Sequence, residues 1–343
     1  MKALVKYRKG NGFVEIREVP VPIPEEGEVL IKVSACGICG SDIHILHDEF
    51  PNDPPVIMGH ELAGTIAKVG SRVSDWSPGD RVVTELHTAA CGECKLCRTG
   101  NQHICPAKRP LGSKTDGGFA EYIKVPERLL HKVPDNVELI DAAITEPTAI
   151  CIHSILEFGK LKPGDFVAIL GPGPIGLISA LIAKKIGAGH IVIAGTNKDE
   201  AVRLRAVRKF GLDAVVNVEK ENLRKVIDNL TAGIGVDVVI EASGSPAAIN
   251  QAVQICCRQG SIIAIGLTQR EQIPFRWNEA VIKETKIFMP FSSTWTSWEL
   301  ALQFLSERVI EAKKLTNRHP LEEWEEAFDD LENGRAIKTL LTV

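Results

Sequence analysis

Four cysteines in one short segment are the clearest chemical signal in the chain. The run CGECKLCRTGNQHIC places them at Cys91, Cys94, Cys97 and Cys105. Zinc prefers a tetrahedron of sulfur or nitrogen ligands, with zinc–sulfur distances of about 2.3 Å. Because one loop supplies three thiolates and Cys105 supplies the fourth, the spacing predicts a structural zinc site that has no open position.

Two disulfide bonds are the alternative use of these four thiols. The chain contains nine cysteines in all, and its first residues include no hydrophobic block of signal-peptide length. An odd cysteine count without an export signal favours a reducing compartment, and therefore the cytoplasm. We therefore predict a zinc lobe over residues 88–106 rather than a disulfide framework.

A second set of potential metal ligands is spread along the chain. Cys39 lies in GICGSDIH, and His60 and Glu61 lie side by side in MGHELAGT. Glu146 follows in the segment EPTA. Buried histidine and cysteine side chains are more often packing residues than ligands. The residue types alone therefore leave this second metal site undecided.

A glycine-rich turn follows the apolar run FVAIL. It reads GPGPIG and consists of Gly171, Pro172, Gly173, Pro174, Ile175 and Gly176. The glycines permit a tight turn and close approach of a pyrophosphate, whose charge is stabilised by free N–H groups at a helix N-terminus. A strand, this turn and a helix beginning near Ile175 together predict a Rossmann site for a nicotinamide dinucleotide.

The end of the next apolar run bears on which dinucleotide binds. An acidic residue there would accept hydrogen bonds from the adenosine ribose of NAD, but IVIAG ends in Gly195. Thr196, Asn197 and Lys198 follow. The missing carboxylate leaves room for a 2′-phosphate, so the sequence favours NADP over NAD.

Charged residues after this segment leave the choice of cofactor open. Arg203 and Arg205 are potential phosphate ligands, although a solvated helix face would explain them equally well. Asp199 and Glu200 are the competing observation, because a loop shift could bring either carboxylate to the ribose. NAD therefore remains the alternative.

Length and texture predict two domains. At 343 residues the chain exceeds the usual size of a single core. Residues 1–150 read as strands separated by turns, residues 151–289 alternate short apolar runs with helix-length segments, and residues 290–343 carry two amphipathic helices and a last strand. We predict that 1–150 and 290–343 form one domain and that 151–289 form a parallel-sheet domain.

Charge and hydropathy argue against nucleic acid and membranes as partners. The net charge of −4 gives no reason to expect nucleic acid or an anionic membrane as a partner. Residues 166–183 contain no charge, but three glycines and two prolines interrupt them. These residues would break a spanning helix, whereas they suit a buried strand, a turn and a new helix.

The motifs together resemble the zinc-dependent medium-chain alcohol dehydrogenases. The resemblance rests on GICGSD, GHELAGT, the four-cysteine lobe, GGFAEY at residues 117–122 and GPGPIG, and it spans nearly the whole chain. EPTA is similar to the polyol (sorbitol-type) and threonine dehydrogenase branch, at the place where alcohol dehydrogenases proper carry a third cysteine ligand. The resemblance implies an α/β fold with a groES-like β-barrel catalytic domain and a Rossmann domain with a doubly wound parallel sheet.

The resemblance also assigns roles to the second set of ligands. It implies that Cys39 and His60 bind a catalytic zinc, and that Glu61 and Glu146 are carboxylates that bind it directly or through water. The sequence does not say which carboxylate binds. Three protein ligands leave one open position, as catalysis requires. Asp42 corresponds to the residue that orients His60.

A mechanism follows from the same resemblance. The alcohol oxygen would take the open zinc position, where its pKa falls, and hydride would pass to the nicotinamide. Ser41, a ribose hydroxyl and His44 would carry the proton to solvent. Ile265, Gly266, Leu267 and Met289 would line the cofactor.

These expectations describe an NAD(P)-dependent oxidoreductase for a secondary alcohol, a polyol or an L-threonine-like amino alcohol. A zinc-free quinone or enone reductase on the same fold is one alternative, although such proteins lack the four-cysteine lobe. A non-catalytic dinucleotide-binding protein is the other. The resemblance further implies a homo-oligomer, with a tetramer favoured.

Overall fold

The computed structural model describes all residues from Met1 to Val343. The chain divides into two compact units. Unit 1 comprises Met1–Ala149, Thr294–Glu332 and Lys338–Val343, and unit 2 comprises Ile150–Ser293 and Asn333–Ile337. Each unit has its own hydrophobic core.

The chain forms sixteen strands and ten α-helices. The strands are β1 Lys2–Lys6, β2 Val14–Glu18, β3 Glu28–Gly37, β4 Val56–Ile57, β5 Glu61–Val69, β6 Arg81–Thr84, β7 Tyr122–Pro126, β8 Leu130–Lys132, β9 Phe166–Leu170, β10 His190–Gly195, β11 Ala214–Asn217, β12 Val236–Glu241, β13 Cys256–Ala264, β14 Lys286–Phe288, β15 Thr316–Pro320 and β16 Lys338–Thr342. The helices are α1 Gly40–Leu46, α2 Lys95–Arg98, α3 Thr145–Ile152, α4 Pro174–Ile186, α5 Arg205–Val207, α6 Leu223–Thr231, α7 Pro246–Ile255, α8 Trp277–Ile282, α9 Trp295–Ser306 and α10 Trp324–Glu332.

Unit 1 is built around the long strand β3. On one side β3 pairs antiparallel with β5, where Gly37 faces Glu61, and on the other it pairs antiparallel with β16, where Gly37 faces Leu340. Strands β6 and β8 extend the sheet beyond β5, and β15 extends it beyond β16. The carboxyl end of β3 therefore meets the first residues of β5 and β16.

Unit 2 holds a six-stranded sheet in the order β11-β10-β9-β12-β13-β14, and all of its pairings are parallel. Strand β9 is buried at every position, as expected for a strand covered on both faces. Counted within the sheet, the order is 3-2-1-4-5-6, which is the Rossmann order. The predicted doubly wound parallel sheet is confirmed.

The uncharged run at residues 166–183 consists of β9, a turn and the start of α4, as the sequence predicts. No helix of the chain has the length and apolar character needed to cross a bilayer. The predicted helices and last strand of the tail correspond to α9, α10 and β16. Strand β15 was not expected, because its sequence TNRHP lacks an apolar alternation.

Candidate active site and metal centres

The four cysteines of the lobe converge. Their sulfur atoms lie within 4.8 Å of one another, and the sulfur–sulfur distances are 3.9 Å for Cys91–Cys97, 3.9 Å for Cys94–Cys105 and 3.7 Å for Cys91–Cys105. Four thiolates about 2.3 Å from one zinc ion stand about 3.8 Å apart in a tetrahedron, whereas bonded sulfurs lie about 2.05 Å apart. All nine cysteines are free thiols. The lobe therefore fits zinc and does not form disulfides.

Backbone N–H groups support these thiols. The N–H of Cys94 donates to Cys91 Sγ over 3.4 Å, and the N–H of Cys97 donates to Cys94 Sγ over 3.5 Å. A third N–H, that of Cys91, donates to Cys105 Sγ over 3.5 Å. These donors lower the pKa of the Cys91 and Cys105 thiols. Burial has the opposite effect at Cys97, whose pKa it raises to about 12. The loop therefore stabilises thiolates at Cys91 and Cys105, and thiolates are the form that binds zinc.

Cys39 lies where β3 gives way to α1. It is the N-cap of that helix, and its N–H donates to Asp42 Oδ2 over 2.9 Å. Ser41 and His44 stand three residues apart on α1 and therefore share one side of the helix. The Nδ1 atom of His44 lies 3.2 Å from Glu49 Oε2. One short helix thus carries a potential ligand and both residues of the predicted proton relay.

The segment before β5 is shaped by glycines. Gly59 has φ +85°, and a Cβ atom there would lie 2.6 Å from the Phe119 ring. The N–H of Gly118 donates to the Gly59 carbonyl over 2.9 Å, and that of Phe119 donates to the Met58 carbonyl. The GGFAEY motif therefore packs directly on the backbone that precedes His60.

Three potential ligands converge at the carboxyl end of β3. The ligand atoms of Cys39, His60 and Glu61 lie within 4.8 Å of one another. Asp42 is fully buried, and its Oδ1 lies 3.8 Å from His60 Nδ1. This distance is that of an ion pair and exceeds a hydrogen bond, whereas the N–H of Gly59 donates to the same oxygen over 3.3 Å.

Glu146 lies close to this cluster but outside it. It is the second residue of α3 and is 5% exposed. Burial and the neighbouring Glu61 carboxylate raise the pKa of Glu146 to about 7. Burial alone would lower the pKa of His60, but Asp42, Cys39 and Glu146 together raise it well above its usual value. The pocket therefore brings several acidic groups together, and a divalent cation would offset the repulsion between them.

A lysine that sequence reasoning did not single out completes the pocket. Lys338, the first residue of β16, is 3% exposed, and its ammonium forms an ion pair with Glu61. Its Nζ donates to Glu61 Oε1 over 2.5 Å and to the Ile38 carbonyl over 2.7 Å. Burial alone would lower the pKa of Lys338, but the anions Glu61, Cys39 and Glu146 together raise it.

The glycine turn of unit 2 has the shape that a pyrophosphate requires. Gly171 has φ +106°, and a Cβ at Gly176 would collide with the Gly171 carbonyl, so both positions need glycine. Gly173 is the N-cap of α4, and Pro174 is its first residue. A Cβ at Gly173 would meet no atom within 4 Å. This open space lies at the helix N-terminus, where phosphate groups bind.

The loop after β10 uses its charged groups internally. Asp199 Oδ2 accepts hydrogen bonds of 3.0 Å from the N–H and the hydroxyl of Thr196, and Arg203 donates to its other oxygen. Arg203 also donates to the Ala336 carbonyl over 3.1 Å. Glu200 accepts from Asn217 and Arg208, which lower its pKa to about 2. The two candidate acids are thus engaged within unit 2, as is Arg203.

The other predicted cofactor residues occupy exposed or edge positions. Thr196, Asn197 and Lys198 are exposed at the end of β10. The N–H groups of Ile265 and Gly266 donate to the Glu241 carbonyl, so this loop begins at the carboxyl edge of the parallel sheet. Leu267 is 62% exposed and Met289 is 73% exposed. In such sheets, ligands bind at the carboxyl ends of the strands.

Comparison with known proteins identifies the family. The sequence model of the alcohol dehydrogenase GroES-like domain matches residues 25–135, and that of the zinc-binding dehydrogenases matches residues 174–307. The chain is 37% identical over 343 residues to a sorbitol dehydrogenase of Halalkalibacterium halodurans, covering 100% of this chain and 99% of that protein. The chain belongs to the zinc-type alcohol dehydrogenase family.

Two further relatives of this alcohol dehydrogenase family agree. The chain is 35% identical to an L-threonine 3-dehydrogenase of Bacillus velezensis, over 99% of this chain and 98% of that protein. A zinc-binding dehydrogenase of Sinorhizobium meliloti 1021, whose crystal structure was determined with NADP bound, superposes with a TM-score of 0.90 at 31% identity, over 100% of this chain and 99% of that one. The predicted resemblance to the polyol and threonine branch, the GroES-like and Rossmann fold and the oxidoreductase class are confirmed.

Two features of this alcohol dehydrogenase were not predicted from the sequence. A signal for Lys338 was present, because a lone lysine interrupts the apolar strand AIKTLLTV. The ion pair between Asp199 and Arg203 has i, i+4 spacing, so a helix assigned to this segment would have predicted it.

Proposed function

We propose that the chain catalyses hydride transfer between a secondary alcohol or polyol, or an L-threonine-like amino alcohol, and NADP. The observation that carries the proposal is the convergence of Cys39, His60 and Glu61 beside the helix that bears Ser41 and His44. The sorbitol and threonine dehydrogenase relatives support these substrate classes.

Zinc is the cation that this donor set would hold at the catalytic site. Cys39 and His60 would be two ligands, and Glu61 or Glu146 would be the third. A zinc ion bound there supplies Lewis acidity, which lowers the pKa of an alcohol hydroxyl toward neutrality. Asp42 fixes this arrangement, because it accepts the N–H of Cys39 and faces His60.

Ser41 and His44 would move the proton. Ser41 would pass the proton through a ribose hydroxyl of the cofactor to His44, whose imidazole is partly exposed and can therefore exchange a proton with solvent. Glu49, at 3.2 Å from His44, orients that ring. The closed four-cysteine lobe would hold a second, structural zinc, since it leaves no position for a substrate.

The loop after β10 supports NADP as the cofactor. Asp199 and Glu200 are engaged within the unit, whereas Lys198 is exposed at the strand end and offers a cation for a 2′-phosphate. The NADP bound to the Sinorhizobium meliloti relative agrees with this choice. Glu219, whose carboxylate accepts the Asn197 N–H over 2.5 Å, is the group that would favour NAD.

A homo-oligomer, with a tetramer favoured, and a cytoplasmic location complete the proposal. Strand β14 is an edge of the parallel sheet, and large apolar side chains near it are exposed. Trp277 is 68%, Ile282 64% and Met289 73% exposed, and a second copy would cover such a surface. Free thiols in the lobe suit a reducing compartment.

One experiment tests the proposed function. The purified chain is analysed for metal and is assayed against polyols, amino alcohols and secondary alcohols with NAD and with NADP. We expect about two zinc ions per chain and turnover of at least one of these alcohol classes, with NADP preferred. Full activity after removal of all metal would contradict the proposal and favour a zinc-free reductase.

A further inference from the structure

The ion pair between Lys338 and Glu61 spans the central strand of the unit 1 sheet. Lys338 enters from β16 and Glu61 from β5, and these strands flank β3 at Gly37. A Cβ at Gly37 would collide with Glu61 Oε2 and would lie 3.0 Å from Lys338 Cε. The glycine therefore leaves the space that the two charged side chains fill.

Glu61 has two potential partners in this position. Its Oε1 atom accepts a hydrogen bond from the Lys338 ammonium. A carboxylate oxygen of Glu61 also lies within 4.8 Å of the ligand atoms of Cys39 and His60. Both charged groups are almost fully buried, so water does not compete for either. A buried carboxylate requires a cation, and here an ammonium and a metal ion are both within reach.

The charges of the pocket show why the lysine matters. With a divalent metal bound, a Cys39 thiolate and ionised Glu61 and Glu146 would together carry three negative charges, of which the metal would neutralise two. Lys338 supplies the third positive charge. Asp42 is a separate acid, because it accepts the N–H groups of Cys39 and Gly59. Without Lys338, the metal would be the best remaining partner of Glu61.

We propose that Lys338 competes with the catalytic metal for Glu61, and that this competition keeps one coordination position open. Lys338 is then a positioning residue, which acts through Glu61 and does not touch the substrate. The inference rests on the proposed function, since it assumes a catalytic metal at Cys39 and His60. The inference adds Lys338 as the residue that controls whether the Glu61 carboxylate binds that metal.

The test compares Lys338→Met with the wild-type chain, each carrying Co²⁺ at the catalytic site and zinc in the lobe. Glu61 should bind Co²⁺ permanently in the variant, which raises the coordination number and weakens the visible d–d absorption. Release of Co²⁺ to a chelator should slow by about tenfold, because one more carboxylate must dissociate; this is the size, with the opposite sign, of the loss in metal affinity that follows removal of a supporting group behind a ligand. The kcat should fall by about tenfold because the alcohol lacks a coordination position.

Two further variants isolate the cause. Lys338→Arg retains the charge and should keep the wild-type spectrum and release rate. The double variant Lys338→Met/Glu61→Gln removes the competing carboxylate and should restore the wild-type release rate. Lys338→Gln retains a donor for the Ile38 carbonyl and replaces the Met variant if that chain does not fold.

The outcomes separate this inference from the proposed function. A folded Lys338→Met or Lys338→Gln chain with the wild-type Co²⁺ spectrum and release rate would show that Lys338 only stabilises the fold, and would overturn the inference. A wild-type chain that binds Co²⁺ but oxidises no alcohol would overturn the proposed function and leave the spectral comparison valid. A wild-type chain that binds no Co²⁺ at Cys39 would overturn both.

Discussion

The cysteine lobe and the cluster at Cys39 are both suited to zinc, but they are assembled in opposite ways. The lobe takes all four ligands from residues 91–105, and backbone N–H groups of the same loop support its sulfurs. The cluster gathers side chains from α1, β5 and β16, and its Glu61–Lys338 pair is separated by 277 residues. A site whose four potential ligands come from one loop thus contrasts with a site whose residues are brought together by the topology of a sheet.

The largest expected effect comes from removing a ligand of the cluster. Cys39→Ser should lower kcat by about 10³-fold or more, because Lewis acidity supplies several kcal/mol of transition-state stabilisation. Binding of NADPH, measured by fluorescence titration, should remain unchanged, since the glycine turn lies in unit 2. Loss of NADPH binding would contradict the separation of the two sites.

The matching change in the lobe should affect stability rather than chemistry. Cys94→Ser should lower the free energy of unfolding by about 3 kcal/mol or more and reduce the zinc content from about two ions per chain to about one. Cys257→Ser, which alters a cysteine outside both sites, is the control for calorimetry and metal analysis. Unchanged stability with unchanged zinc content in Cys94→Ser would exclude a structural zinc at the lobe.

A charge change at the end of β10 should have a smaller effect. Lys198→Ala should lower kcat/KM for NADP by about tenfold and leave kcat/KM for NAD nearly unchanged, because one charge-assisted hydrogen bond to a 2′-phosphate is lost. Lys225→Ala, another exposed lysine of unit 2, serves as the control. An equal loss with both cofactors would argue against a 2′-phosphate contact.

The smallest effect concerns acid stability near the lobe. The backbone of His87 forms an isolated β-bridge with Pro110. Burial, followed by Arg128 and Lys108, lowers the pKa of His87 to about 3, although Glu85 Oε2 lies 3.5 Å from its Nε2. Between about pH 6.5 and pH 3 the unfolded chain binds a proton that the folded chain does not, so His87 costs stability as the pH falls through this window. Between pH 7 and pH 6, His87→Gln should lessen the loss of stability by about 0.7 kcal/mol. If the free energy of unfolding fell equally with pH in both chains between pH 7 and pH 4, His87 would not have this role.

The sequence predicted those parts of the molecule that local patterns specify. Apolar runs such as FVAIL predict buried parallel strands, and GPGPIG predicts the turn into α4, because strand, turn and helix are consecutive there. The cysteine spacing predicts the lobe for the same reason. The role of Lys338 could not be predicted, since no local pattern tells which strand neighbours β3 at Gly37. Asp42 was assigned to His60, but the fold also places the Gly59 N–H against it.

Pro172 constrains how the nucleotide preference of this chain can change. A Cβ atom at position 195 would lie 2.6 Å from the Pro172 ring and 3.1 Å from Asp199 Oδ2, so a carboxylate at the strand end requires a shift of its surroundings. We therefore expect an acid at this position to be tolerated better together with a substitution of Pro172 than alone, because the second change removes the ring that the new side chain would meet. The phosphate-binding turn thereby restricts mutation at a strand end that lies outside its own motif.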